Sequence, residues 1–229
     1  MLKLRHIVKD YDAGDIHVRA LDGIDLEVGR GDYLAIMGPS GSGKSTLMHI
    51  IGCLDRPTSG RYELNGRDVA DMGDADLARM RNKEIGFVFQ QFNLLPRETL
   101  QANVEIPLMY AGAGARERRR LAAEALDRMG ILDRAHHRPS EVSGGQKQRA
   151  AIARALVNAP SLILADEPTG NLDSKTGGEI LDILGSLNRD GVTVIVVTHD
   201  REVGRRAGHI VHLKDGLIDS VEATTHDHH

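Results

Sequence analysis

A glycine-rich stretch between two apolar runs constrains this 229-residue chain more than any other feature. Residues 38–46 read GPSGSGKST, in which two glycines separated by four residues are followed by Lys and Ser. The apolar run before it, residues 33–37, is typical of a buried strand, and residues 47–51 are typical of a helix start. Strand, glycine loop and helix in this order are the context of a phosphate-binding P-loop.

The residue types in this loop suit a bound phosphate. Gly38, Gly41 and Gly43 let the backbone turn tightly and approach a ligand closely. Backbone N–H groups and the partial positive charge of the helix N-terminus attract phosphate. Lys44 is long enough to reach the outer phosphates, and the Ser45 hydroxyl is a ligand for Mg²⁺. A glycine-rich turn that binds nothing is the alternative, but the Lys–Ser pair and both flanks favour a nucleoside triphosphate.

The composition is that of a globular protein with a full core, because 41% of the residues are hydrophobic and 27% are charged. The net charge of −4 gives no electrostatic reason to expect nucleic acid binding. Cys53 is the single cysteine, which excludes an intrachain disulfide, and its apolar neighbours predict a small buried side chain. We expect no signal peptide and, without a run of about 18 apolar residues, no membrane span.

Strands and helices are predicted along the rest of the chain from apolar runs and their spacing. Residues 91–159 are mostly helical, so we interpret them as a helical subdomain inserted into an α/β core. After Pro160, apolar strands alternate with helices, which predicts a parallel sheet covered on both faces. The predicted strands are residues 2–8, 20–28, 33–37, 61–64, 162–165 and 192–197, the predicted helices are residues 74–81, 116–129, 145 or 146 to 157, and 175–187, and residues 209–218 form a hairpin. The tail with His226, His228 and His229 is interpreted as a terminus without fixed structure and not as a metal site.

Two further motifs point to phosphate chemistry. The predicted strand 162–165 ends in Asp166 and Glu167, and the ends of parallel strands open on the crevice where ligands bind. There Asp166 is suited to hold Mg²⁺, directly or through water, and Glu167 to orient or deprotonate a water that attacks the γ-phosphate. Ser143 and the two glycines after it open a helix, which builds a second anion site, although an ordinary Ser cap is the alternative.

With these motifs in place, the chain resembles the nucleotide-binding subunit of an ATP-binding cassette (ABC) transporter, and the resemblance covers essentially its whole length. Val142 departs from the family, which usually has Leu before SGGQ, but it keeps an apolar side chain. The segments IIGCLDRPTSG, IGFVFQQFNLLP and ILADEPTGNLDS are most similar to the MacB and lipoprotein-release (LolD) branch. The motifs are GPSGSGKST for Walker A, Gln90 in VFQQFNLLP for the Q-loop, VSGGQKQR for the signature, LILADE for Walker B, Asn171-Leu172-Asp173 for the D-loop, and His199 in VTHD for the switch histidine.

The resemblance implies a fold of the α/β class. It is a P-loop NTPase core with a parallel sheet, an N-terminal antiparallel β-subdomain and an inserted helical subdomain. The chain is then a single ABC ATPase domain over residues 1–229. Residues 1–90 and 160–229 form the core with its β-subdomain, and about 91–159 form the helical subdomain with the signature motif.

The resemblance also implies a head-to-tail homodimer that encloses two ATP molecules with Mg²⁺. By the same resemblance, Tyr11 is expected to stack on adenine, and Gln90, Glu167 and His199 are expected to act at the γ-phosphate. Ser45, Gln90 and Asp166 are expected to hold Mg²⁺. The nucleotide contacts implied in one subunit are Tyr11, Gly38, Pro39, Ser40, Gly41, Ser42, Gly43, Lys44, Ser45 and Thr46, and those from the other subunit are Ser143, Gly144, Gly145, Gln146 and Asp173.

The partners follow from the same resemblance. Phe87 and Phe89 fit a strand, but residues 92–96 continue past it, and the family uses this segment to receive a helix of a transmembrane permease at the inner face of the cell membrane. The alternative is an FtsE-like ATPase that regulates a membrane partner in cell-wall remodelling. Nucleic-acid ABC ATPases are disfavoured by one cysteine, one P-loop and no heptads, and SGGQ excludes a P-loop kinase or GTPase. The cargo lies with the permease and is not named by this sequence.

Overall fold

The computed structural model describes residues 1–14, 16–70 and 72–224. Asp15, Asp71 and residues 225–229 lie outside the described residues, and with them the tail histidines His226, His228 and His229. The chain forms two compact units. The first joins Met1–Ala78 to the residues from Asn188 onward, and the second is Arg79–Leu187.

The strands, in chain order, are β1 (Leu2–Ala13), β2 (Ile16–Val28), β3 (Tyr33–Met37), β4 (Ser59–Leu64), β5 (Arg67–Asp68), β6 (Ile85–Phe89), β7 (Leu162–Asp166), β8 (Thr193–Val197), β9 (His209–Lys214) and β10 (Leu217–Ala223). The helices are α1 (Lys44–Ile51), α2 (Asp74–Glu84), α3 (Leu100–Tyr110), α4 (Ala115–Arg128), α5 (Gly144–Leu156), α6 (Ser174–Arg189) and α7 (Arg201–Gly204). Short 3-10 turns lie at Leu132–Arg134 and Pro139–Glu141. Among the described residues, no helix has the length and apolarity that crossing a bilayer requires.

The first unit contains an antiparallel sheet and a set of parallel strands. The antiparallel sheet has the order β2-β1-β4-β5. β3 pairs in parallel with β8 on one side and β9 on the other, and β10 pairs antiparallel with β9. Every residue of β3 and β8 is buried. The apolar sequence YLAIM and the run VIVV after Thr193 predict this for strands covered on both faces. The chain leaves β3 directly into the glycine-rich loop, which leads into α1.

The second unit combines two parallel strands with a cluster of helices. β6 and β7 pair in register from Ile85 opposite Leu162 to Phe89 opposite Asp166. Helices α3, α4 and α5 pack on one another. Helix α5 also approaches β6 closely, because a Cβ at Gly86 would lie 2.4 Å from the carbonyl oxygen of Ala155.

The predicted elements are largely confirmed, with corrections to their ends. β1 was expected to end at residue 8 but continues to Ala13, because its polar second half pairs with β2 from Lys9 opposite Leu21 to Ala13 opposite Ile16. α2 runs past residue 81 to Glu84. Helices α3 and α7 were not predicted at all. Cys53 is buried, as its apolar neighbours indicate.

Candidate nucleotide-binding site

The loop between β3 and α1 has the local geometry of a phosphate cradle. Gly43 precedes α1 with φ +100°, and a Cβ there would lie 2.5 Å from the carbonyl oxygen of Ala20. Only glycine fits this position, because both the backbone conformation and the space exclude a side chain. In the described part of the chain no side chain caps the start of α1. Its first amides are therefore available to an anion.

Lys44 is already folded over this loop. Its Nζ donates hydrogen bonds to the carbonyl oxygens of Gly38 and Pro39, each at 2.8 Å. Two carbonyl oxygens hold the ammonium group without neutralising its charge, so the positive charge stays at the loop. An incoming phosphate would meet a cation that needs little rearrangement.

The remaining predicted residues of the first unit flank this loop. Ser45, in the first turn of α1, is exposed. Tyr11 lies near the end of β1 with 39% of its surface exposed. Burial raises the pKa of Tyr11. A hydrogen bond between the Tyr11 hydroxyl and the Thr46 side chain opposes this rise. His199 is exposed and lies two residues after the end of β8. The residue between them, Thr198, donates from its amide to the carbonyl of Ile36 in β3 at 3.1 Å.

The second unit brings the Q-loop and Walker B residues together. β7 ends at Asp166, directly opposite Phe89 at the end of β6, so Gln90 follows the neighbouring strand. A Cβ at Gly170 would lie 2.5 Å from Gln90 Nε2, and Asn171 Nδ2 donates to the Gln90 carbonyl at 2.9 Å. The Gln90 side chain therefore packs against Gly170, and its backbone carbonyl is bound by Asn171 of the same turn.

Glu167 begins this turn with an unusual backbone. Its φ is +43°, in the left-handed region that residues other than glycine rarely adopt. The amide of Gly170 donates to its carbonyl at 3.0 Å, which closes the turn. Such strained backbone is concentrated at functional sites, because the surrounding structure must hold it in place.

The signature motif begins α5 as an N-terminal cap. Ser143 Oγ accepts from the Gln146 amide at 3.3 Å, and Gln146 Oε1 accepts from the Ser143 amide at 3.0 Å. This reciprocal pair is a capping box, so the Ser cap that the sequence left open as an alternative is present. Gly145 is buried, and a Cβ there would lie 2.5 Å from Thr176 Cγ2, so α5 begins tightly against the start of α6.

Asp173 of the D-loop is engaged at the same place. Its Oδ1 accepts from the Thr176 amide at 3.0 Å, and its Oδ2 accepts from the Thr176 hydroxyl at 2.6 Å. Both hydrogen bonds lower the pKa of Asp173, and the one from the Thr176 hydroxyl has the larger effect. Asp173 therefore caps α6, and Thr176 contacts both Asp173 and the signature glycine.

Sequence reasoning missed four residues that hold predicted site residues in place. Lys9 and Asp55 hold Tyr11, and Arg154 and Asn103 hold the segment that follows Gln90. Asp55 is 44 residues from Tyr11 and Arg154 is 62 residues from Phe92, so no motif spacing could have identified these two.

The comparison with known proteins decides the family. The ABC transporter family matches residues 21–170, a span that includes the loop 38–46, Gln90, Ser143 and Asp166. The chain belongs to the ABC transporter family.

Several ABC transporter proteins are similar over almost the whole chain. An ABC transporter ATP-binding protein of Thermotoga maritima is 54% identical over 222 residues, which are 97% of this chain and 95% of that protein. The ABC transporter ATP-binding protein YknY of Bacillus subtilis is 54% identical over 218 residues, 95% of each chain. The macrolide export ATP-binding/permease protein MacB of Bdellovibrio bacteriovorus is 54% identical over 222 residues. These are 97% of this chain but 34% of MacB, so the chain spans about a third of that relative.

Solved ABC structures share the fold. Two dimeric structures of the ATP-binding cassette MJ0796 each align with a TM-score of 0.90, over 98% of this chain and 99% of theirs, at 46% and 47% identity. One of them is a post-hydrolysis state bound to ADP and Pi. The chain is thus an ATP-binding ABC ATPase, closely related to the ATP-binding part of MacB and to YknY. It has the antiparallel β-subdomain and the mixed sheet with helices of that fold.

Proposed function

We propose that this ABC ATPase hydrolyses Mg²⁺-ATP as one half of a head-to-tail homodimer and drives a transmembrane permease of the MacB or lipoprotein-release type, in export or lipoprotein release. The observation that carries the proposal is the adjacency of Gln90 to the Walker B turn at two neighbouring strand ends. This arrangement couples the residue that would sense the γ-phosphate to the segment proposed for the permease.

Nucleotide binding is assigned to the loop and its flanks. Lys44 binds the outer phosphates, and residues 38–46 surround them with backbone N–H groups. Tyr11 stacks on the adenine ring. The partial exposure of Tyr11, and its hydrogen bond to Thr46 beside the phosphate loop, support a place next to the bound nucleotide.

Metal binding and hydrolysis are assigned to oxygen-bearing side chains. Ser45, Gln90 and Asp166 offer a hydroxyl, an amide oxygen and a carboxylate, the hard ligands that Mg²⁺ prefers. The bound metal neutralises charge on the phosphates. Glu167 orients and deprotonates the attacking water. His199 contacts the γ-phosphate.

The signature and D-loop residues serve the nucleotide of the partner subunit. Ser143, Gly144, Gly145 and Gln146 present the start of α5, and Asp173 lies beside them through Thr176. The dimeric cassettes with this fold support the assembly.

The permease is proposed to dock at residues 92–96, where Leu95 is 49% exposed. MacB relatives carry a permease in the same chain, which supports such a partner. The protein would then work at the inner face of the cell membrane. In this proposal residues 1–229 are one ABC ATPase domain whose helical subdomain is about 91–159.

The catalytic assignment is tested by two variants. Glu167→Gln should keep ATP affinity while the hydrolysis rate falls at least ~100-fold, because it removes the base but no phosphate contact. Lys44→Ala should lose ATP binding instead. Near-normal turnover of Glu167→Gln would contradict the role of Glu167.

The assembly is tested by dimerisation and by mixing. ATP with Mg²⁺ should dimerise Glu167→Gln in light scattering, and ADP should not. Ser143→Arg and Lys44→Ala subunits should each be inactive alone. Mixed, they should recover hydrolysis at the one site that pairs intact Lys44 with intact Ser143. A flat rate across mixing ratios, with mixed dimers demonstrated, would falsify the shared site.

A further inference from the structure

Tyr11 is part of a closed set of contacts with Lys9 and Asp55. The Tyr11 hydroxyl donates to Asp55 Oδ2 at 2.9 Å, and Lys9 Nζ donates to Asp55 Oδ1 at 2.7 Å. Lys9 Nζ also lies over the Tyr11 ring, 4.8 Å from its centroid. The ring is thus held at its hydroxyl and on one face, while part of its surface stays exposed.

The Lys9–Asp55 end of this set is partly buried, whereas the Tyr11–Asp55 hydrogen bond is exposed. The Lys9 side chain is only 12% exposed, and its ammonium also donates to the Arg56 carbonyl at 2.8 Å. Burial raises the pKa of Asp55, but the hydrogen bonds from Lys9, Tyr11 and the Arg56 amide outweigh it and lower the pKa overall. Asp55 therefore stays ionised at neutral pH, and it accepts from both neighbours as a carboxylate.

Asp55 is itself attached to the helix that follows the phosphate loop. The amides of Leu54 and Asp55 both donate to the carbonyl of His49 in α1, at 2.8 and 3.2 Å. The same segment is joined to β1, because Thr58 donates from its amide to Val8 and accepts at its hydroxyl from the Asp10 amide at 2.9 Å. The Tyr11 ring and the phosphate loop are thereby connected through one short, hydrogen-bonded path.

We propose that Asp55 and Lys9 are positioning residues for the base of the nucleotide, and that they fix the Tyr11 ring at the distance from the phosphate loop that a nucleoside triphosphate requires. The inference rests on the proposed function, in which Tyr11 stacks on adenine. A ring fixed before binding loses no further rotamer freedom when the base arrives, so it increases the affinity for a nucleotide. The affinity for a polyphosphate without a base is not increased, and the protein therefore prefers ATP over such a polyphosphate.

The test compares the Kd of ATP with that of inorganic tripolyphosphate, both measured by calorimetry in EDTA so that no hydrolysis occurs. Asp55→Ala should weaken ATP binding about 5- to 10-fold and leave tripolyphosphate binding unchanged. Tyr11→Phe should behave alike, because it keeps the ring and loses only the hydroxyl. Asp55→Asn should lie between Asp55→Ala and the unsubstituted protein, since its amide oxygen still accepts from Tyr11 but carries no charge for Lys9. In ATPase assays the loss should appear in KM and not in kcat.

Asp74→Ala is the matched control, because Asp74 is hydrogen-bonded to Arg56 and the contacts described for it do not include Tyr11. It should leave both Kd values unchanged. Unchanged Kd values for both ligands in Asp55→Ala and Tyr11→Phe would overturn the inference. Equal weakening of both ligands would also overturn it, because it would indicate a distorted loop.

Tyr11→Ala and Lys44→Ala separate this inference from the proposed function. If Tyr11→Ala weakens ATP binding and Asp55→Ala does not, only the positioning role is wrong. If Tyr11→Ala leaves the Kd ratio unchanged, the stacking role of Tyr11 fails with it. Retained tripolyphosphate binding in Lys44→Ala would instead contradict the phosphate role of Lys44.

Discussion

Arg154 in α5 donates from Nη2 to the carbonyl oxygen of Phe92 at 2.9 Å. Its other terminal nitrogen donates to the carbonyl of Asn93. Phe92 and Asn93 both have positive φ, +61° and +49°. Burial lowers the pKa of Arg154, yet the planar guanidinium satisfies two carbonyls at once, which a lysine could not do with the same geometry. The helix that begins with the signature motif thus holds the proposed permease segment.

The first prediction concerns this link. Arg154→Met should raise amide hydrogen exchange at Phe92 and Asn93 at least ~10-fold, because their left-handed backbone loses its support. Arg149→Met is the control, since Arg149 lies on the same helix but binds Met129 and Glu179. Exchange mass spectrometry of the peptide around residue 92 makes the measurement. Equal protection in both variants would show that Arg154 does not hold the segment.

The second prediction concerns Asn103, which is fully buried in α3. Its Oδ1 accepts from the Leu95 amide at 2.6 Å, and its Nδ2 donates to the carbonyls of Leu95 and Thr99 at 3.1 and 2.9 Å. Asn103→Asp should lower the free energy of unfolding by about 2–4 kcal/mol, because an ionised carboxylate cannot donate to these carbonyls. Urea unfolding measures this loss. Asn93→Asp, at an exposed position, should change it by less than about 1 kcal/mol.

The third prediction concerns the alkaline limit of stability. Burial raises the pKa of Tyr33 from 10.0 to about 12, and within the described part of the chain its hydroxyl has no hydrogen-bond partner. The tyrosine deprotonates earlier in the unfolded chain than in the folded one. The protonated Tyr33 therefore contributes fully to the free energy of unfolding below pH 10. As the pH rises from 10 to 12, this contribution of about 2–3 kcal/mol is lost.

Tyr33→Phe tests this effect. It should be neutral or stabilising by up to about 1 kcal/mol at neutral pH, because it removes an unsatisfied buried hydroxyl. Relative to it, the native protein should lose stability only above pH 10. A constant difference between the two proteins at every alkaline pH would contradict the assignment.

The fourth prediction separates space from conformation in the phosphate loop. Gly43 and Gly41 both have positive φ, but a Cβ would meet the Ala20 carbonyl only at Gly43, and nothing lies within 4 Å at Gly41. Gly41→Ala should cost about 1–2 kcal/mol of folding stability, from strain alone. Gly43→Ala should cost about 2 kcal/mol more, because the backbone must shift. Thermal unfolding of the two variants gives the comparison.

The elements that the sequence pattern predicted are those whose stability is local or whose apolar runs are continuous. β3 and its glycine loop were predicted in full, and the Ser143 cap was one of two alternatives, because a few neighbouring residues determine each of them. Helix α3 was not predicted. It contains Pro107 and the buried Asn103, which disfavour a helix interior, and its stability comes from packing on α4 and α5.

The same distinction applies to the site. Residues that would touch the nucleotide belong to short motifs and could be predicted from them. Asp55 and Arg154, which hold Tyr11 and the segment after Gln90, are brought near by packing across many positions in sequence, whereas Lys9 lies two residues from Tyr11 on the same strand. Long-range contacts of this kind leave no periodic signal in one sequence.

Helix α5 carries Ser143 at its first end and Arg154 about three turns later, so the two residues lie within about 20° of the same face. This angular relation around the helix axis limits the insertions and deletions that α5 can accept. One residue inserted between them would rotate Ser143 by about 100° relative to Arg154, and the capped end would face away from its neighbours. An insertion of about seven residues would restore the phase within about 20°, but would lengthen the helix by about 10 Å. A substitution in α5 leaves this phase unchanged, whereas a change in the residue count between Ser143 and Arg154 alters the relation of the two ends.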